Sequence, residues 1–394
     1  MRRFVENTDG SVKYYLGYND SRKTGGGATA KLDCTDGNVM LELPDYYFRL
    51  EMDGTKWAYA ISEYPLPGFT HIPRRTISPW YATIDNVNNQ SASGCFLTWD
   101  GDDVARGDDG LPVFTSNAAQ FRGGSNNASL DGTYKSQLGM ARTSISRNTF
   151  RSACKNGTHG GSGRAYNTIK WFFRIEYASL NCQDTFNASL TSEGYHQGGL
   201  GDLYIDGNTW GTLNDYNPFI PSGVTAPLGN NTGIIPYAVT LADGSTKNYN
   251  VASYRGFETP YEYLWLITDD ILVYYGEKET TIYVCDDPTK FKTPSDSQTT
   301  VPDGYEPVAT LPRFEGYGLT EAITDKGMSF INAVGGSSNT GVCDYFGRNA
   351  TVGWWGALLS ATANHGTGAG FGCLRTADRA AGAWTASALR LCRN

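Results

Sequence analysis

The residues best suited to chemistry fall in a few short stretches. In "WDGDDVARGDDG" five carboxylates crowd together: Asp100, Asp102, Asp103, Asp108 and Asp109. Clustered carboxylates on a loop supply the hard oxygen ligands that calcium takes, although the ligand order and closing glutamate of an EF-hand are missing. Calcium is the one cofactor this stretch suggests, and a solvated acidic loop is the plainer reading. "KNGTHGGSGRA", Lys155 to Ala165, is glycine-rich and runs into a helical pattern, so its backbone N–H groups could cradle an anion at a helix start. It lacks the Lys-Ser/Thr ending of a phosphate loop and the spacing of a dinucleotide fingerprint, which favours a plain loop before a helix. The four histidines, His71, His159, His196 and His365, lie in no nucleophile, zinc or phosphate motif. Eight cysteines are spread singly, with no C-x-x-C pair, and read as reduced buried thiols.

Those residues need elements to hold them. "RAYNTIKWFFRIEYASLNCQ", Arg164 to Gln183, carries apolar residues at three-and-four spacing without glycine or proline, which predicts a buried helix. "NVMLELPDYYFRLEM" and "TKWAYAIS" alternate and predict strands joined at the "MDGT" turn. Residues 85 to 135, rich in Asn, Asp, Ser and Gly, predict long surface loops. From Gly198 to Lys290 the pattern is β-like, with an Asp243-Gly244 hairpin turn and two strands across "GEKE". Residues 286 to 304 form a polar loop, and the segment from Ser337 onward shows short β stretches and no helix. The first thirty residues, ending in "SRKTGGGATA", read as an extended arm and a glycine link.

Composition narrows the function classes. The 394 residues carry a formal charge of -8, which argues against an electrostatic grip on nucleic acid or anionic lipid. No run of 18 apolar residues is present, and the N-terminus has no apolar core of a secretory signal, so neither membrane insertion nor secretion is expected. With 25 tyrosines, 17 phenylalanines and 9 tryptophans, the chain has ample means to build a core.

Six phrases, in order, resemble one family. They are "MRRFVENTDGSVKYYL", "LDCTDGNVMLELPDYYFRLEMDG", "ISEYPLPGFTHIP", "RAYNTIKWFFRIEYASLNCQ", "SYRGFETPYEYLWLITDDI" and "GWWGALLSATANHGTGAGFGCLRTADRAAGAWTASALRLC". Together they are similar to tail and receptor-binding proteins of bacteriophages and prophages, whose body is a C-type-lectin-like fold. The resemblance implies an α+β fold, a C-type-lectin-like domain with long loops and insertions over residues 31–394, behind an attachment arm at 1–30. It further implies a non-enzymatic virion protein of the tail or fibre, assembled in the host cytoplasm as an oligomer, with a trimer favoured. Its partners would be a bacterial surface receptor, glycan or protein, and other virion proteins. A head-decorating or fibre-connecting role is the alternative.

Formylglycine-generating oxidases share that fold, and "YRGFETPYEYLW" and "CLRTADR" also resemble them. Those enzymes use two closely spaced cysteines, whereas here Cys373 stands nineteen residues from Cys392. In some phage relatives the last segment is diversified by a retroelement that mutates adenines. The implied ligand face, within 337–394, comprises Asn349, Thr351, Ala361, Thr362, Asn364, His365, Thr376, Asp378, Arg379, Ala380 and Ala381, while Trp354, Trp355 and Trp384 would be fixed scaffold. The competing reason for so many small residues is close backbone packing. Within "CLRTADRAAGAWTASALRLC", Leu374, Trp384, Leu389, Leu391 and Arg390 are expected in the closing core.

Overall fold

"WLITDDILVYY" is apolar on both sides of its pleat, and a strand of that kind must be covered on both faces. Trp265–Tyr275 is the longest strand among the described residues and is almost wholly buried. The computed structural model describes residues 1–53, 56–127, 129, 138–183, 210, 215–240, 246–349 and 351–394. The expected turns at Gly54-Thr55 and Asp243-Gly244, the segment 198–209, His196 and Ala350 lie outside them. Among the described residues the fold is β-rich with two α-helices.

The Trp265–Tyr275 strand sits inside a nine-stranded sheet. On one side it pairs with Thr280–Cys285 and, beyond it, Tyr305–Leu311; on the other come Gly353–Leu359, Leu374–Thr376, Tyr345–Arg348, Gly316–Ile323 and Ser329–Val334. Ser387–Ala388 adds a short parallel pairing at Trp265 and Leu266. The two end strands, Tyr305–Leu311 and Ser329–Val334, come alongside each other, so the sheet curls almost into a barrel. Its register with Gly353–Leu359 breaks between Ile267 and Leu272. A bulge frees backbone groups and re-aims side chains. Here Thr268 Oγ1 and the buried Arg147 guanidinium donate to the Ala357 carbonyl at 3.0 and 3.3 Å, and Arg147 also donates to Ile271 O at 3.2 Å.

The bulge turns two aspartates toward the two helices. The first, α1, spans Arg147–Ala153 behind an N-cap at Ser146, and its Arg151 Nε donates to Asp269 Oδ2 at 2.9 Å. The second, α2, spans Gly163–Tyr177. At its start Asp270 accepts from Gly163 N at 2.8 Å, Arg164 N at 3.3 Å and Ser162 Oγ at 3.0 Å. The helix is shorter than the sequence predicts because Ala178 turns left-handed and Ser179 and Asn181 then bond local backbone N–H groups in turns. The shorter α1 has no expectation above, although Ser146 supplied a cap to find it by. Replacing Asp270 by alanine strips three donors of their acceptor and costs about 2 kcal/mol; Ser162→Ala costs about 1 kcal/mol. Urea denaturation of the two variants checks the order.

A second sheet gathers both chain ends. Its five strands run Val12–Tyr15, Arg2–Glu6, Val39–Leu43, Arg75–Ile77 and Cys392–Arg393. Residues 1–30, expected as an extended arm, thus contribute two strands to it, because Phe4, Val5 and Leu16 are apolar and fully buried. One core runs through both sheets, from Phe4 to Cys392. The expected surface loops of 85–135 are also partly inside. Phe96 and Phe121 stack at 4.5 Å in a small cluster with Ala92 and Ala118, anchors that a count of polar residues hides. No described helix is long and apolar enough to cross a membrane.

Candidate binding face

The C-terminal segment builds its surface on three strands. Gly353–Leu359 is buried throughout, and Leu374–Thr376 lies between it and the parallel Tyr345–Arg348. Side chains alternate across a strand, so Leu374 and Thr376 face inward while Arg375 between them faces out. The scaffold expectation for Trp354 and Trp355 agrees with their burial, and Leu374, Leu389, Leu391 and Arg390 are buried as well. Trp384 departs from it: it is only half-buried, with its indole covering Gly382.

The expected ligand residues divide into two groups. Ala361, Thr362, Thr376 and Ala380 are buried, which removes them from direct contact with a partner. Their small size serves packing. Thr376 Oγ1 bonds the Tyr275 hydroxyl and donates to Gly347 O. Ala380 packs in a cluster with Leu272 and Trp354, and Thr362 pairs with Tyr263. The other seven reach solvent: Thr351, Asn364 and Ala381 are exposed, and Asn349, His365, Asp378 and Arg379 are half-buried.

Around them the geometry is organised by arginines lying on aromatic rings. Arg379 sits 4.2 Å from the Trp355 ring centre and Arg348 4.9 Å from that of Tyr275. The two rings meet edge to face at 6.0 Å, so the chain Arg348–Tyr275–Trp355–Arg379 is continuous. Trp355 Nε1 donates to Thr351 O at 3.1 Å, and Asn349 Oδ1 accepts from Thr351 N at 3.0 Å, which ties that loop down. Arg375 Nε donates to Asp378 Oδ2 at 2.6 Å. His365 stands edge-on to Trp265 at 4.8 Å, with its Nδ1 2.7 Å from Thr362 Oγ1. Burial, and then the Arg375 charge, push the His365 imidazolium down to about 4, so the ring is neutral near neutral pH.

Arg348 and Arg375 have no place in the expected set, which followed small and adenine-accessible residue types. Period-two alternation through "LRT" was the available clue: an inward Leu374 requires an outward Arg375 and an inward Thr376.

The other chemical candidates resolve differently. In the acidic loop Asp102 pairs with Arg22 at 3.0 Å and Asp109 accepts from Leu111 N at 3.0 Å. Among the described residues no group of three or more His, Cys, Asp or Glu is gathered for a metal ion. The glycine-rich stretch does cradle an anion, and the anion is Asp270 of the same chain. Its glycines are required by contact: a Cβ at Gly161 would stand 2.1 Å from Ile267 O. Cys34, Cys95, Cys154, Cys285, Cys373 and Cys392 are free thiols. Burial, and then Asp344, push the Cys373 thiol well above its ordinary value, while Cys392 lies in the other sheet, paired with Ile77. No protein-family model matches the chain, and no curated protein matches it.

Proposed function

We propose that this chain is a non-enzymatic phage virion protein of the tail or fibre that binds a bacterial surface receptor through its C-terminal face, on a C-type-lectin-like body. The observation that carries the reading is the separation just described. Asn349, Thr351, Asn364, Asp378, Arg379 and Ala381 reach solvent above strands whose Trp354, Trp355 and Leu374 are buried. Loops on a rigid body can change partners without unfolding it. A buried Cys373 with an elevated thiol favours binding over the oxidase chemistry of the related fold. Presentation as a trimer would raise a modest single-site affinity by avidity.

The test is host-cell binding with the exposed positions exchanged. Asn349→Ala, Asp378→Ala and Arg379→Ala together are expected to lower binding at least tenfold while thermal stability stays near that of the parent. Unchanged binding by a folded triple variant rejects this face.

A further inference from the structure

A second candidate site lies where the first and last strands come together. A cavity of about 410 Å³ opens between the N-terminal strand, the 34–38 loop, the 155–158 loop and Arg393. Small-molecule pockets occupy roughly 300–1,000 Å³. The backbone at its edge is specialised. The register of Arg2–Glu6 with Val12–Tyr15 shifts between Val5 and Glu6, and Gly37, at φ 135°, allows a close approach: a Cβ there would lie 2.1 Å from Glu6 O. Bulges often re-aim a side chain at a site.

Glu6 is the side chain so placed. It lines the cavity yet is only 3% exposed. Oε1 accepts from Asn38 Nδ2 at 3.0 Å, and Asn38 Oδ1 in turn accepts from Ser93 N at 3.0 Å, which fixes the carboxylate. Oε2 has no hydrogen bond; it lies 3.4 Å from Arg393 Nε in an ion pair whose nitrogen also makes none. Buried polar groups are nearly always hydrogen-bonded, and these two meet only at ion-pair distance on a cavity wall, so a ligand hydroxyl entering there can supply the hydrogen bonds that each lacks.

We infer that this cavity is a binding site for a neutral polyhydroxylated molecule, a mono- or disaccharide. Its charged lining is balanced: Glu6, Asp36 and Asp85 oppose Lys13, Lys155 and Arg393. A wall with equal numbers of each sign gives a polyanion or polycation no net attraction, whereas a hydroxyl both donates and accepts and satisfies either group. Phe121, held by its stack on Phe96, adds an apolar wall for the C–H face of a sugar ring. The site is separate from the face proposed above and stands without it.

The experiment is ligand-observed NMR on the full chain with glucose, galactose, mannose, N-acetylglucosamine, maltose, lactose and chitobiose, beside inorganic phosphate and spermidine. At least one saccharide is expected to show saturable transfer. Glu6→Gln should weaken it at least tenfold, and Lys155→Ala, at an exposed position, at least threefold. Arg379→Ala, on the other face, should leave it unchanged. The inference is overturned if no saccharide binds, if phosphate or spermidine binds more tightly, or if Arg379→Ala abolishes the signal that Glu6→Gln and Lys155→Ala leave intact.

Discussion

Glu321→Ala is expected to destabilise the chain by about 3–5 kcal/mol, because it removes the carboxylate shared by two buried cations and leaves Arg174 only a distant Asp344 at 3.9 Å. Lys170 and Arg174 stand one turn apart on α2 and are both buried against the sheet. Arg174 Nη1 donates to Glu321 Oε2 at 2.6 Å, Lys170 Nζ lies 3.4 Å from Oε1, and Ser329 Oγ donates to Oε2 at 2.8 Å. Lys170 also donates to Ser329 Oγ at 2.6 Å and Ser329 O at 3.1 Å. Breaking one partner of such a group costs far more than replacing the whole by apolar residues. Glu321→Ala combined with Lys170→Met and Arg174→Met should therefore recover much of the loss in urea denaturation. If the single variant unfolds at the parental midpoint, the network contributes nothing.

The same network has a pH signature. Arg174 and then Lys170 hold the Glu321 carboxyl at about 2 despite its burial, so its contribution is present above the ordinary carboxylate value and is lost as pH falls from about 4.5 to 2. Asp344 behaves oppositely. Burial pushes it up to about 7, with Arg174 and its bond from Gly372 N opposing. The folded chain then binds a proton that the unfolded chain releases between about 4 and 7, so stability falls as pH rises through that window. Asp344→Asn should remove this slope: the stability of the parent relative to the variant is expected to fall between pH 5 and pH 7, whereas His365, held at about 4, acts in the opposite direction in both proteins.

Much of this arrangement was legible before any coordinates. The helix α2 follows from the uninterrupted apolar three-and-four pattern after Arg164, and Leu374, Leu389 and Leu391 follow from their bulk and hydropathy, which served less well at the half-buried Trp384. The bulge at Thr268–Ile271 was not, since "LITDDIL" alternates no differently from an unbroken strand, and only tertiary pairing shows that Asp269 and Asp270 answer Arg151 and the start of α2. For the same reason the glycine-rich stretch read as a plain loop before a helix, and nothing in it showed that its N–H groups answer a carboxylate of the same chain. On the binding face, residue type alone merged two different causes of smallness. Ala361, at φ 65° and fully buried, is small because backbone closes around it, whereas Ala381 is small in open solvent. Strand alternation separates such cases at Thr376 but has nothing to work on in the irregular turns at 360–365 and 378–382.

Arg390→Ala is expected to cost about 4–5 kcal/mol, at the upper end for a single side chain, through lost bonds and an unfilled cavity. The guanidinium is fully buried and lies between two rings, 4.2 Å from the centre of Tyr81 and 4.0 Å from that of Phe257. It donates to Glu258 O at 2.6 Å and to Ser78 O, Thr259 O and Thr259 Oγ1 at 3.3 Å each. Those carbonyls belong to the "YRGFETPYEYLW" phrase and to the 75–80 segment, so one side chain ties the C-terminus to both. The bonds on either side run the same way: Ala82 N donates to Leu389 O at 2.9 Å and Ser78 N to Leu391 O at 2.7 Å. A lysine keeps the charge but cannot stack as a plane or fork across several carbonyls, so Arg390→Lys should still lose about 2–3 kcal/mol. Urea denaturation gives both values, and host-cell binding at a temperature where each variant remains folded gives the control. Binding at the parental level there, beside a large loss of stability, makes Arg390 the clamp that holds the recognition face in place; a binding defect in the folded variant would instead put Arg390 in the recognition itself.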